Sequence, residues 1–163
     1  MRELERGGVP YVPHTYDVSD QAAPHDVPGH DLGVRIAASL GQDPDQALKT
    51  LVCVSPTGDH VVCCIPVDRE LDLKKAASAA GEKSLSMMHV ADLEATCGYV
   101  RGACSPVGMR RQFPTLIDET AELFDTVFIS GGRLGLQLEC DPERLAGFVG
   151  AVFADICREG EAS

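Results

Sequence analysis

TLVCVS (residues 50–55) and HVVCCIP (residues 60–66) flank the tetrapeptide PTGD (residues 56–59). Both flanking runs are rich in β-branched and small apolar residues, which suit a pleated, buried surface. Pro56 and Gly58 supply the backbone angles of a tight turn. The segment therefore predicts a β-hairpin.

Upstream, SDQAAPHDVPGH (residues 19–30) is polar and carries Pro24, Pro28 and Gly29, the signature of an exposed loop. Leu32, Ile36 and Leu40 then share one helical face that stops at Gly41. Asp43-Pro44 places an N-cap before a proline, so a brief helical turn leads toward Lys49. Downstream, Leu71, Leu73, Ala76, Ala77 and Ala80 predict a helix over 68–80 with Gly81 as its cap. A shorter helix over 90–97 is capped by Gly98. Residues 99–104 predict a short strand that runs into a Ser105-Pro106-Val107-Gly108 turn. Further strands are expected at 115–117, 126–130 and 134–140. In the last of these, Leu134, Leu136 and Leu138 alternate with Gly135, Gln137 and Glu139. Asp141-Pro142 opens a final helix, with Leu145, Phe148, Val149, Val152, Phe153 and Ile156 on its apolar face. This order of elements predicts one α+β domain over 1–163, with its core in about 11–157 and a mixed, mainly antiparallel sheet flanked by helices.

The 163 residues fit one domain, and 44% apolar with 24% charged residues is enough for a packed core. No apolar run reaches the roughly 20 residues that cross a bilayer, and the first twelve residues lack the apolar core of a secretory signal. A cytoplasmic location is the default expectation. The seven cysteines are an odd number without C-x-x-C spacing, which argues for buried thiols rather than a disulfide framework. His89, Cys97 and Cys104 offer three ligands at most, one short of a structural zinc site, so no metal is expected.

Fourteen basic against 25 acidic residues leave a net charge of -11, which excludes a general nucleic-acid coat. The charge is uneven, however. Residues 95–117 hold no acid but carry Arg101, Arg110 and Arg111, either an anion-facing surface or a solvated loop. Three segments stand apart from ordinary packing. Lys49 sits at the mouth of an apolar strand, where it either snorkels to water or is paired and used. GYVRGACSPVG (residues 98–108) surrounds a short apolar string with glycines, as a tight turn or as backbone that approaches a ligand. SGGRLG (residues 130–135) is either a hairpin or a set of consecutive N–H donors for an oxyanion. It is not a P-loop, because the G-K-[ST] ending is missing.

Taken in order, HTY (14–16), DPDQALKTLV (43–52), LDLKKAA (71–77), GYVRGACSPVG (98–108), FPTLID (113–118), SGGRLGL (130–136) and FADI (153–156) resemble YbaK-type proteins. That family is similar to the editing domain inserted in bacterial prolyl-tRNA synthetases. The resemblance implies a barrel-like sheet and hydrolysis of the ester that joins a wrong amino acid to a tRNA 3′ end, most characteristically cysteine on tRNA(Pro). It implies no cofactor, and partners limited to the tRNA acceptor end and a synthetase such as prolyl-tRNA synthetase. It places catalytic roles on Lys49, Gly102 and Ser130. Substrate contacts fall on Tyr16, Thr50, Ala103, Gly131, Gly132 and Gln137, and Arg101, Arg110 and Arg111 are assigned to the tRNA backbone. The amides around Gly102, Ala103 and Ser130 to Gly132 are the expected oxyanion donors. For a cysteinyl ester the resemblance suggests attack by the substrate's own thiol, with water as the alternative for alanyl or seryl esters.

Two departures concern the amino acid recognised. Cysteine-specific members commonly carry Asp where this chain has Gln137, and an amide both donates and accepts where a carboxylate only accepts. The loop over 17–31 is also longer than in compact relatives. The competing class is a binding module that holds an aminoacyl or nucleotide group without cleaving it.

Overall fold

The computed structural model describes residues 2–17, 29–100 and 103–159. Arg101, Gly102 and most of the 17–31 loop singled out in the sequence lie outside the described residues.

The hairpin is present, and it starts earlier than its β-branched run. Strand β2 (Leu48–Val54) pairs antiparallel with β3 (His60–Pro66), with Lys49 opposite Ile65 and Thr50 opposite Cys64. Its turn closes through Ser55, whose N–H donates to the Asp59 carbonyl at 2.8 Å, and Gly58 takes φ +88° there. Helix α1 (Arg2–Arg6) and strand β1 (Tyr11–Thr15) precede the hairpin, together with α2 (Gly29–Ser39). After it come α3 (Leu73–Ala80), the two-residue β4 (Ser86–Met87) and α4 (Val90–Cys97). The C-terminal part holds β5 (Thr115–Asp118), a 3-10 turn (Glu119–Leu123), β6 (Val127–Ser130), β7 (Leu136–Cys140), α5 (Pro142–Val149) and β8 (Ala151–Ala154).

These strands form two sheets. One is antiparallel, in the order β1-β7-β6. The other is mixed, in the order β4-β2-β3-β5-β8, with β5 parallel to both β3 and β8. Among the described residues, one parallel bridge, between Ala47 and Phe128, links them. The fold is α+β as expected, and no closed barrel forms among the described residues. The main core lies between the sheets, around Val52, Val62, Ile117, Ile129 and Leu138, with Leu145 and Val149 of α5 closing one end. The other face of the mixed sheet packs Val61, Cys63, Ile65 and Leu116 against Ala76 and Ala77 of α3. Among the described residues no helix is long and apolar enough to cross a membrane.

Helix ends follow side-chain chemistry. Asp72 accepts from the Lys74 and Lys75 amides, and Gly81 ends α3 at φ +74°, so the helix begins later than the apolar spacing from 68 predicts. Leu71 instead bridges Cys157. Asp141 caps α5, but Gly150 ends that helix at φ +71°. The expected continuation through Ile156 is therefore corrected: Val152 and Phe153 belong to β8 and pair with Leu116 and Ile117. The strand expected at 99–104 is also corrected, because none of its described residues joins a sheet. That segment is held by side chains instead, with the Tyr99 hydroxyl donating to the Val107 carbonyl and the Val107 amide donating to Ser105 Oγ at 3.2 Å.

Candidate active site

The site occupies the gap where the two sheets part along β2. Phe128 holds that strand at one end, its N–H donating to the Gln46 carbonyl at 3.1 Å. β4 holds it at the other, with Met87 opposite Cys53 and the Met88 N–H donating to the Val52 carbonyl at 3.0 Å. Between these clamps lies a cavity of about 420 Å³, lined continuously by residues 47–52. Leu32 and Ile36 of α2 form one wall, and Met88 with Leu93 of α4 forms another. Ser130, Leu136 and Gln137 close it from the antiparallel sheet, joined by Tyr16 and Cys104.

Five of the expected residues thus come together, from elements far apart in sequence: Tyr16, Lys49, Thr50, Ser130 and Gln137 all line this one cavity. Lys49 brings a cation to a mostly apolar hollow, where charge is less screened than in bulk water. Thr50 Oγ1 lies 3.8 Å from Cys64 Sγ, so its hydroxyl leans on the hairpin partner. The Tyr16 amide donates to the Gly135 carbonyl at 3.0 Å, which ties the end of β1 to the turn before β7.

Ser130 is a clasp. Its hydroxyl donates to the Ala103 carbonyl at 2.8 Å and accepts from the Gly132 amide at 3.1 Å. Ala103, Gly131 and Gly132 stand behind this clasp and do not line the cavity. Their amides are already engaged: Ala103 donates to the Val100 carbonyl, Gly131 to the Leu136 carbonyl and Gly132 to Ser130. In this structure these three N–H groups are turned to acceptors of the chain itself. A tight turn satisfies its own donors before a ligand arrives. Gly131 also sits so close to Leu136 that an added Cβ would fall 2.4 Å from its Cγ, so glycine at 131 lets Leu136 reach the cavity wall.

Gln137 is 7% exposed, on the face of β7 opposite Leu138. Its Oε1 accepts from Gln42 Nε2 at 2.5 Å, while Gln42 Oε1 is buried without a hydrogen-bond partner among the described residues. Gln42, the α2 wall and the methionines escaped the sequence reading. The Leu32/Ile36 periodicity was visible, but it indicates only an apolar face, not whether that face covers a core or a cavity. Arg110 and Arg111 are exposed and lie off the cavity, with the Arg110 stem packed beside Gly98.

The thiols nearby, Cys64 and Cys104, are poorly placed to act as nucleophiles, because both are buried. Burial and the neighbouring Cys97 push the Cys104 thiol far above its ordinary value, and burial pushes Cys64 up to about 12. Both stay protonated at neutral pH, and protonated thiols react poorly. All seven cysteines are free and buried. Among the described residues no three His, Cys, Asp or Glu side chains gather in a way that could hold a metal ion.

Comparison with known proteins adds the family. An Enterococcus faecalis protein with the provisional name Cys-tRNA(Pro)/Cys-tRNA(Cys) deacylase EbsC is 40% identical over 156 residues, 96% of this chain and 90% of its own length. A proline–tRNA ligase of Nitratidesulfovibrio vulgaris is 31% identical over 106 residues, 65% of this chain but 18% of the ligase. A crystal structure provisionally described as a trans-editing enzyme for prolyl tRNA synthetase superposes with a TM-score of 0.79 at 23% identity, covering 96% of this chain and 93% of that one, and so shares the fold. The family model for the aminoacyl-tRNA editing domain matches residues 26–148, and the chain belongs to that family.

Proposed function

We propose that this protein is a trans-acting aminoacyl-tRNA deacylase that cleaves the ester between a mischarged amino acid and the tRNA 3′ end, with Cys-tRNA(Pro) as its foremost substrate. The observation that carries this reading is the meeting of Lys49, Thr50, Ser130, Gln137 and Tyr16 around one cavity, in a chain of the editing-domain family. The likeness to EbsC supports cysteine as the amino acid. An aminoacyl ester is already activated, so the site has to place the acyl carbon and stabilise a developing oxyanion. Lys49 supplies the positive charge for the carbonyl oxygen or an adjacent phosphate. Tyr16 offers a ring for the terminal adenosine. Ser130 fixes the 103 segment against the β6–β7 turn, and the Gln42–Gln137 amide pair sets the polar part of the wall.

No protein nucleophile is required. For a cysteinyl ester, the substrate sulfur bonds to its own acyl carbon, the acyl–oxygen bond to the ribose breaks, and the thiol proton passes to the departing ribose oxygen. Water then opens the thiolactone to free cysteine. For alanyl or seryl esters water attacks directly. Arg110 and Arg111, with Arg101, contact the backbone of the acceptor end, and an acidic protein of this size borrows further tRNA specificity from prolyl-tRNA synthetase in the cytoplasm.

The test is deacylation by the purified protein of tRNAs carrying Cys, Ala, Ser or Pro. Release of cysteine from Cys-tRNA(Pro) is expected. Release of another amino acid would move the specificity and keep the reaction class, and release of none would leave a binding module.

A further inference from the structure

Strand β2 has one edge filled by β3 and one that is filled only at its ends. The Val62 N–H donates to the Pro114 carbonyl, so Val62 faces β5 and its partner Val52 faces away from β3. Backbone direction alternates along a strand, so Thr50 also turns its N–H and C=O away from β3. Phe128 takes that outer edge at Gln46, and Met88 takes it at Val52. Among the described residues no strand or bridge pairs with the edge at Thr50, which borders the cavity. One rung of the sheet is missing, and the cavity lies where it would be.

We propose that the aminoacyl group of the substrate fills this rung. It rests on the deacylase reading above and specifies how that site holds its ligand. An aminoacyl ester carries N–Cα–C=O in the same order as a strand residue. In an antiparallel hydrogen-bonded pair, two residues exchange both of their backbone bonds. The Thr50 N–H donates to the acyl oxygen, and the Thr50 carbonyl accepts from the α-ammonium. The first bond strengthens as the acyl oxygen gains charge, which supplies an oxyanion contact in place of the engaged amides of Ala103, Gly131 and Gly132. The second selects esters with a free α-ammonium over N-blocked or deaminated ones.

Amide-resolved NMR of the full chain tests this with 3′-cysteinylamido-3′-deoxyadenosine, in which a stable amide replaces the ester, and with its 3-mercaptopropionyl counterpart, which lacks the α-ammonium. The cysteinyl compound is expected to shift the Thr50 amide proton downfield and slow its exchange at least about tenfold. The mercaptopropionyl compound is expected to bind about ten- to a hundredfold more weakly, the range for one charge-assisted hydrogen bond. Equal affinity of the two compounds, or binding that leaves the Thr50 amide unmoved in a protein that deacylates Cys-tRNA(Pro), overturns the inference and leaves the deacylase reading intact. A protein that binds neither compound and deacylates no tRNA overturns both.

Discussion

Replacing Ser130 with alanine removes one oxygen and, with it, two hydrogen bonds, one to the distant 103 segment and one within its own turn. The hydroxyl donates to the Ala103 carbonyl at 2.8 Å and accepts from the Gly132 amide at 3.1 Å. Ala103 is 1% exposed, so water cannot readily replace the lost donor at its carbonyl. Two ordinary bonds at about 1 kcal/mol each, with a buried acceptor left unsatisfied, give an expected loss of about 2–3 kcal/mol. For a domain of this length that lowers Tm by about 4–10 °C. Released from the clasp, the 103 segment drifts from the cavity that Cys104 lines, and kcat for deacylation should fall more than KM rises. Ser130→Thr keeps the hydroxyl and adds a methyl group that suits a β-strand, so it should restore most of both. Thermal unfolding, together with steady-state deacylation below the variant's Tm, checks the two effects separately. A Ser130→Ala protein within 0.5 kcal/mol of the parent and equal in kcat would refute the clasp.

Two further outcomes follow from charge. The Thr126 hydroxyl donates to Glu139 Oε2 at 2.6 Å and His14 Nε2 lies 2.9 Å from Oε1, and these contacts, Thr126 first, hold the Glu139 carboxyl below its ordinary value. A depressed carboxyl contributes stability that is full above its unfolded pKa, near 4.3, and is lost as pH falls through the lower folded value. Glu139→Gln should cost about 1 kcal/mol at pH 7 and flatten the loss of stability below pH 4 in urea titrations, and an unchanged acid limb would contradict the assignment. If Arg110 and Arg111 meet phosphates, kcat/KM on aminoacyl-tRNA falls with salt, and each Arg→Ala change reduces the slope against log salt by about 0.7–0.9; parent-like slopes would remove them from the interface.

The parts of the fold that were legible in the sequence are those set by local chemistry. The PTGD turn between β-branched runs and the Asp72 and Asp141 caps could be read directly. So could the glycine at position 98 that ends α4. Elements recruited by tertiary pairing could not. β1 contains Pro13 and His14 and shows no apolar alternation, yet it pairs along β7 from Tyr11 to Thr15. In the C-terminal segment the helical period runs unbroken from Leu145 to Ile156, but Gly150 adopts the left-handed conformation and the chain leaves the helix to pair with β5. Residues 99–104 carry a strand's composition, yet none of those described joins a sheet. The site divides in the same way. Lys49 stood out because a lysine at the mouth of an apolar strand is costly to ignore, and the alternation in β7 correctly put Gln137 opposite Leu138. That the Gln137 face is buried against Gln42, and that Leu32 and Ile36 wall a cavity rather than a core, depends on where α2 docks, which no local pattern encodes.

The proposed reaction depends on Lys49, a lysine on β2 that lines the cavity between the sheets. Single-turnover deacylation of Cys-tRNA(Pro) by the Lys49→Ala protein, with its fold verified by circular dichroism, tests this most directly. The expected rate is lower by about 10²-fold or more, the scale of one lost oxyanion contact. A rate close to that of the parent protein would contradict it.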